Sequence, residues 1–421
     1  MADTTFIVPQ NIFKAYHPPI SAQSIHENAL TDAILQRFLS SCQDGAVGVA
    51  PVYGARCTLV MIAFSTLSHV LLVRLSGSSA KSQKPKKNFQ TLTGRELLRD
   101  HILCHPQRQL YGFKMDKIAI ALYLDLSLCV RAGADLLSIS KKSNRHSLDA
   151  ILQALGGELT LHKEAVKALF RHREGDHTLP TDAALQAWAA CRASSLSSMQ
   201  RALLAIPRID TQGMLDTHLA AFAKISRDSD RLDALKPTQV KNEVKADFSY
   251  KKGGINVTST RFRTRIMRSQ NQTIQIKTDK SATVTGRAKK VEGRGARIAV
   301  EGPVIGTKIV SITTFGKEEP THAEAQREMV VLYALQRRVS LSSQPFFQAI
   351  WLPTEKPIWP TLPARRSKPI IYTPSQALNT SQDLAVQKIL SDHDQDRIVV
   401  IQGPPGTGKT TVIAASVTSI I

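Results

Sequence analysis

Cysteine is scarce and scattered in this chain. Its 421 residues hold five (Cys42, Cys57, Cys104, Cys129 and Cys191), an odd number with no C-x-x-C pair. Such spacing argues against a disulfide framework and fits a reduced intracellular compartment, cytoplasmic or nuclear. The N-terminus lacks the basic–apolar–small pattern of a signal peptide. Long apolar runs are missing too. The longest, residues 57–75, is broken by Ser65, Ser68, His69 and Arg74. It reads as two strands and a turn, so no membrane partner is expected. No internal repeat is visible. Acidic residues are few beside basic ones, 34 against 55, for a net charge of +21 and a pI near 9.9. That imbalance points to a polyanion partner, most simply nucleic acid, RNA or DNA.

What is present is concentrated at the C-terminal end. Residues 403–411 read GPPGTGKTT, a G-x-x-x-x-G-K-[ST] phosphate loop. A β-branched stretch, residues 397–401, leads in and is expected as a strand; a helix is expected over 411–421. That context separates a phosphate loop from a chance match. Gly403, Gly406 and Gly408 let successive N–H groups turn toward phosphate oxygens, with Thr407 between them. The helix N-terminus adds its dipole. Lys409 is placed to reach the β/γ-phosphates of ATP, and the Thr410 hydroxyl, followed by Thr411, to ligate its Mg²⁺.

Residues 378–382 read LNTSQ, ahead of a helical pattern. With the phosphate loop, this segment resembles superfamily 1B helicases, the group that includes the nonsense-mediated-decay helicase. The resemblance implies that Gln382 reads the adenine edge, which suits an amide that donates and accepts together. Thr380 or Ser381 also reads as a helix N-cap. An NTPase of this kind further needs a Walker B carboxylate, a water-positioning residue and arginine fingers. In that group all lie beyond the phosphate loop, and this sequence ends at Ile421. The expectation is a truncated product or fragment, with nucleotide-binding elements and no complete catalytic site.

The order of elements suggests an α/β protein of several parts. Residues 1–40, with prolines at 9, 18 and 19, read as an irregular lead-in. Over 41–225, short strands (47–49, 57–64, 70–75) precede helices near 95–104, 116–124, 147–155, 163–171 and 182–205, an α/β layered pattern. Residues 226–247 read as a linker. Residues 248–345 read as a small antiparallel β-barrel followed by a stalk helix over 322–338. A Pro-rich connector follows over 346–374, and the NTPase domain begins at 375. Two smaller clusters carry no chemistry on this reading. HILCHP (101–106) fits no zinc spacing, and Lys81, Lys84, Lys86 and Lys87 read as a solvated loop ahead of the alternative, a nuclear localisation patch. Asp125 and Asp135 read as exposed turn or helix residues.

Stretches of the first part resemble the 3′–5′ exonucleases of the DnaQ-like (DEDD) class: AVGVAPVYGARCTLVMIAF, YGFKMDKIAIAL, ADLLSIS with RHSLDAILQALGG, and DAALQAWAACRASSL. The resemblance implies an RNase H-like exonuclease fold over 41–225, as the phosphate loop implies the truncated start of a RecA-like domain over 375–421. Two-metal hydrolysis needs carboxylates around two ions about 4 Å apart. At the matching positions stand Ala50 and Val52, and no Asp or Glu occurs from 45 to 95. Asp116 is retained as a remnant carboxylate. Asp182 and Gln186 stand where the last motif expects Tyr and Asp. The domain is therefore read as degenerate, serving binding or packing.

Residues 241–300 hold fifteen Lys/Arg against four Asp/Glu, a net of +11, more than half the excess charge of the chain. Strand alternation over 261–266 would put Arg261, Arg263 and Arg265 on one face, with Arg268 following. Guanidiniums so spaced can track a phosphodiester backbone. The reading is a nucleic-acid- and ATP-binding N-terminal portion of an ATP-dependent helicase. The alternatives are a non-enzymatic nucleic-acid-binding protein with a relic phosphate loop, or an active 3′–5′ exonuclease.

Overall fold

The computed structural model describes residues 4–9, 12–42, 45–76, 93–140, 144–170, 179–251, 253–260, 266–269, 272–280, 282–354, 356–361, 370–371 and 377–420. The chain divides into residues 1–341 and 342–421. The first part of the larger unit comprises strands β1 (Thr4–Val8) and β2 (Ile20–His26), helix α1 (Asp32–Ser40), β3 (Ala46–Tyr53), β4 (Leu59–Ser65), β5 (His69–Arg74), α2 (Gly94–Leu98), β6 (Gln109–Gly112), α3 (Met115–Leu126) and β7 (Gly133–Asp135). Helices α4 (Leu148–Ala154), α5 (Lys163–Phe170), α6 (Pro180–Ser195), α7 (Gln200–Leu204) and α8 (Asp216–Ala234) complete it. The strands form a mixed sheet in the order β1-β2-β5-β4-β3-β6-β7. The pairs β2–β5, β3–β6 and β6–β7 are parallel and the rest antiparallel. Its central strands are almost continuously apolar, as strands covered on both faces must be. Alanine-rich α6 packs against β3 and β4. Gly48 permits this approach, since a Cβ there would overlap the Ala187 carbonyl oxygen. Helix α3 packs against α8.

The second part is a seven-stranded antiparallel sheet: β8 (Gln239–Asn242), β9 (Ser249–Lys251), β10 (Gly254–Thr258), β11 (Thr273–Thr278), β12 (Thr283–Glu292), β13 (Gly295–Glu301) and β14 (Ile309–Phe315). Its order is β8-β14-β11-β12-β13-β10-β9. Residues 244–247 link its sides. Lys245 donates its N–H to the Thr258 carbonyl (2.8 Å), and Ala246 accepts from Ile309 (2.7 Å). The ladder thus curls around an interior of Ile255, Val257, Ile274, Ile276, Ile298 and Ile312. Helix α9 (His322–Leu335) follows, started by a capping box between Thr321 and Glu324.

The smaller unit holds α10 (Pro345–Trp351), α11 (Thr380–Leu390) and α12 (Lys409–Ile420). Val386, Val412 and Ala415 form its small core.

Several expectations are corrected. Residues 1–40 are not irregular: β1 and β2 extend the sheet and α1 follows, with the prolines lying outside these elements. The supposed linker 226–247 is the second half of α8 and then β8. The buried face of α8, which includes Phe222, Ala223 and Ile225, runs into this polar stretch through Ser226 and Arg227. The single helix expected over 182–205 is two, broken at Leu196. In the Pro-rich connector, residues 345–351 are helical, because proline is tolerated in a first turn. Residues 397–401 form no strand: among the described residues no neighbouring strand supplies ladder partners there, and Val400 is 85% exposed.

Candidate nucleotide and nucleic-acid sites

The phosphate loop lies between residues 401 and 409 and runs into α12. Gly406 (φ 84°) and Gly408 (φ 79°) occupy the left-handed region that favours glycine. A Cβ on Gly408 would strike the Gln382 amide nitrogen. Lys409 Nζ donates to the carbonyls of Gly403 (2.7 Å) and Pro404 (2.8 Å), and Thr407 Oγ1 to Pro404 (2.9 Å). The ammonium therefore already sits across the loop. Helix α12 begins at Lys409, so the N–H groups of its first turn have no intrahelical acceptor. Thr410 is exposed and Thr411 half-buried beside them. Glycines held in this shape, a lysine over the loop and a helix N-terminus fit a triphosphate with its Mg²⁺.

Gln382 braces the loop. Its Nε2 donates to the Thr407 carbonyl (3.1 Å), and its Oε1 accepts from the Asn379 N–H (3.0 Å). Asn379 Oδ1 in turn accepts the Gln382 N–H (2.9 Å). The cap of α11 is thus Asn379, not Thr380 or Ser381, with Gln382 completing the box.

In the sheet of the larger unit, the positions matched to nuclease motifs hold apolar or internally bonded side chains. Ala50 and Val52 lie in the apolar core under α6. Gln186 is spent on the Leu169 carbonyl (3.1 Å). Asp116 opens α3 and is 1% exposed, with Oδ2 bound by Arg145 Nη2 at 2.8 Å. Arg145 Nη1 holds Asp135 at 2.8 Å, and Glu328 of α9 closes the group at 3.2 Å from Nη2. Among the described residues no group of three or more His, Cys, Asp or Glu could hold a metal ion. A fixed guanidinium supplies the positive charge at Asp116.

Asp135 is therefore buried rather than exposed. It accepts the Met115 N–H (3.2 Å) at the start of α3, and burial pushes its carboxyl up. Asp125 is likewise enclosed, taking both Arg227 Nη1 (3.1 Å) and Nη2 (2.8 Å) and the Leu59 N–H (2.8 Å). Beside Glu328, the His146 imidazole is lowered to about 4, by burial first and by the Lys114 cation. Burial alone would raise Glu328, but the His146 hydrogen bond and the Lys117 and Arg145 cations hold its carboxyl well below the usual range.

Arg261, Arg263 and Arg265 lie outside the described residues, as does the lysine run at 81–87. Arg268 is exposed. The barrel offers further cations that alternation brings to its outer face: Lys241, Lys277, Arg287 and Arg297 are exposed, each between buried neighbours or paired strands. Across β12–β13, Lys290 is the register partner of Arg297. Alternation along 273–301 was the available signal for Lys277, Arg287 and Arg297. No such signal joined Arg145 to Glu328, which lie 183 residues apart.

Residues 377–421 match the family model described as an AAA domain. A search of curated proteins finds no match. Among solved structures, similarity is found to one described as the apo form of the nuclease, at 19% identity over 51% of this chain and 93% of that one, with a TM-score of 0.29. Brucella melitensis NrnC is similar at 13% identity, 51% and 93% coverage and a TM-score of 0.29. Its complex with pGG gives 13%, 51%, 94% and 0.28. TM-scores this low say nothing about activity. No helix among the described residues is long and apolar enough to cross a membrane.

Proposed function

We propose that the chain binds ATP–Mg²⁺ through its phosphate loop and nucleic acid through its β-barrel, as the N-terminal portion of a superfamily 1B-type helicase. The carrying observation is the loop of 403–411, glycine-shaped, braced by Gln382 and crossed by Lys409, inside a segment that matches an AAA domain. Bound ATP–Mg²⁺ supplies a hydrolysable phosphoanhydride. Lys409 would exchange its two carbonyl contacts for β/γ-phosphate oxygens, Thr410 would ligate the ion, and the first N–H groups of α12 would meet the phosphates. Gln382 is proposed as the adenine contact in addition to its bracing role. The barrel, with its net +11 over 241–300, would follow the sugar–phosphate backbone without reading sequence. The nuclease-like sheet domain is proposed to serve packing, with Ala50, Val52 and the Arg145-bound Asp116 where metal-holding carboxylates would stand.

The test is Lys409→Ala, measured with a fluorescent ATP analogue in Mg²⁺ and, separately, with a labelled single strand. Nucleotide affinity should fall at least about tenfold, the loss of one charge-assisted contact, while strand binding stays as it was. Equal nucleotide affinity in both proteins would sink the proposal.

A further inference from the structure

Helix α9 leaves the barrel and docks on the sheet domain. Its last turns do so by apolar contact: Val331, Leu332, Ala334 and Leu335 are all buried. Its first turn does so through Glu324, which pairs with Lys236 at 3.0 Å, and its middle through Glu328. Glu328 Oε1 lies 3.2 Å from Arg145 Nη2, 3.0 Å from His146 Nε2 and 3.8 Å from Lys117 Nζ. Arg145 is 5% exposed and is the common partner of Asp116, Asp135 and Glu328. Asp116 Oδ1 and His146 Nδ1 are buried without a hydrogen-bond partner among the described residues. The charge of Asp116 is answered by Arg145, whose guanidinium is also paired with Asp135 of the same domain. Glu328 is the only member of this group that belongs to α9.

We infer that Glu328 is a release point: a lock in which the sheet domain presents a preformed Arg145–Asp116–Asp135 socket and α9 inserts one carboxylate. Apolar packing alone permits a helix to slide, whereas a buried ion pair specifies one register. Losing Glu328 loosens the middle of α9, leaving its apolar turns and the Glu324–Lys236 pair, while the sheet domain keeps its own Arg145 pairs. The retained carboxylate Asp116 thereby acquires a mechanical role, positioning the arginine that catches α9. The inference does not depend on the nucleotide or nucleic-acid reading.

The experiment is amide hydrogen exchange on the full chain, comparing wild type with Glu328→Gln, Arg145→Met and the pair. Glu328→Gln should speed exchange in residues 322–335 by at least about tenfold and leave residues 46–74 of the central sheet unchanged. Arg145→Met should speed both regions, and adding Glu328→Gln to it should raise exchange over 322–335 by less than the two single effects combined, as expected for partners in one interaction. Should Arg145→Met fail to fold, Glu328→Gln and Glu328→Ala carry the test alone. Unchanged exchange over 322–335 in the Glu328 variants overturns the lock. So does an equal rise over 46–74, which would make Glu328 part of the general stability of the unit.

Discussion

At the residue scale, two side chains carry roles that their types alone do not disclose. Gln382 has both ends of its amide engaged, one in the Asn379 box and one on the Thr407 carbonyl. Gln382→Ala removes one loop hydrogen bond, worth about 1 kcal/mol, so affinity for every nucleotide should fall about fivefold to tenfold. If the amide also meets adenine, preference for ATP over GTP should collapse in the variant. An equal proportional loss for both nucleotides would leave Gln382 as a brace alone. Competition binding with the two nucleotides separates the cases. Asp116 is the second such residue. As a sequence feature it reads as a remnant metal ligand; in the fold its Oδ2 is taken by Arg145. Labelled single strands should therefore survive with Mn²⁺ or Mg²⁺, and Asp116→Ala should leave that result as it is. Manganese-dependent shortening from the 3′ end, abolished by that substitution, would restore the nuclease reading.

At the element scale, legibility followed from whether an element's signal is local. The phosphate loop and α12 could be read because glycine conformations, lysine and helix start are set within nine residues. The barrel strands could be read from alternation, since Ile274, Ile276 and Val284 turn inward between polar neighbours. Helix α8 was missed because Arg227 and Ser226 occupy its buried face, and the distant Asp125 satisfies that arginine. The strand expected over 397–401 failed for the converse reason: β-branched residues favour extension, but a ladder needs a neighbour. The same alternation that built the barrel makes its outer face testable. Replacing Lys277, Arg287 and Arg297 by Gln removes three exposed cations and leaves the interior untouched. If all three touch phosphates, the slope of log affinity against log salt for single-strand binding should flatten by about 2–3 units. An identical slope would mean that these side chains only solvate the barrel. The equivalent triple change at Arg261, Arg263 and Arg265 tests the sequence-based face in the same assay.

At the scale of the whole molecule, the junction between α9 and the sheet domain should make stability depend on pH. The groups facing it are Lys114, Asp116 and Lys117 around the start of α3, Asp135 after it, Arg145 and His146 before α4, Asp230 of α8 and Glu328 of α9. His146 has its folded pKa lowered to about 4 from 6.5. Between those values the unfolded chain takes up a proton that the folded one refuses, so stability falls as pH drops through this window. Glu328, held below 4.5 when folded, acts in the same sense: its contribution is present above pH 4.5 and is lost under more acidic conditions. Asp135 is shifted upward, so it opposes this trend. Comparing wild type with His146→Gln cancels Asp135, which both proteins share. Gln preserves a donor for Glu328 but does not titrate. Urea unfolding at pH 7 and at pH 4.5 should show wild type losing on the order of 2–3 kcal/mol more than the variant. The loss should appear first as faster exchange over residues 322–335, because Glu328 is the member that leaves. A parallel pH dependence in the two proteins would mean that His146 titrates freely, and that acid weakens this junction through its carboxylates alone.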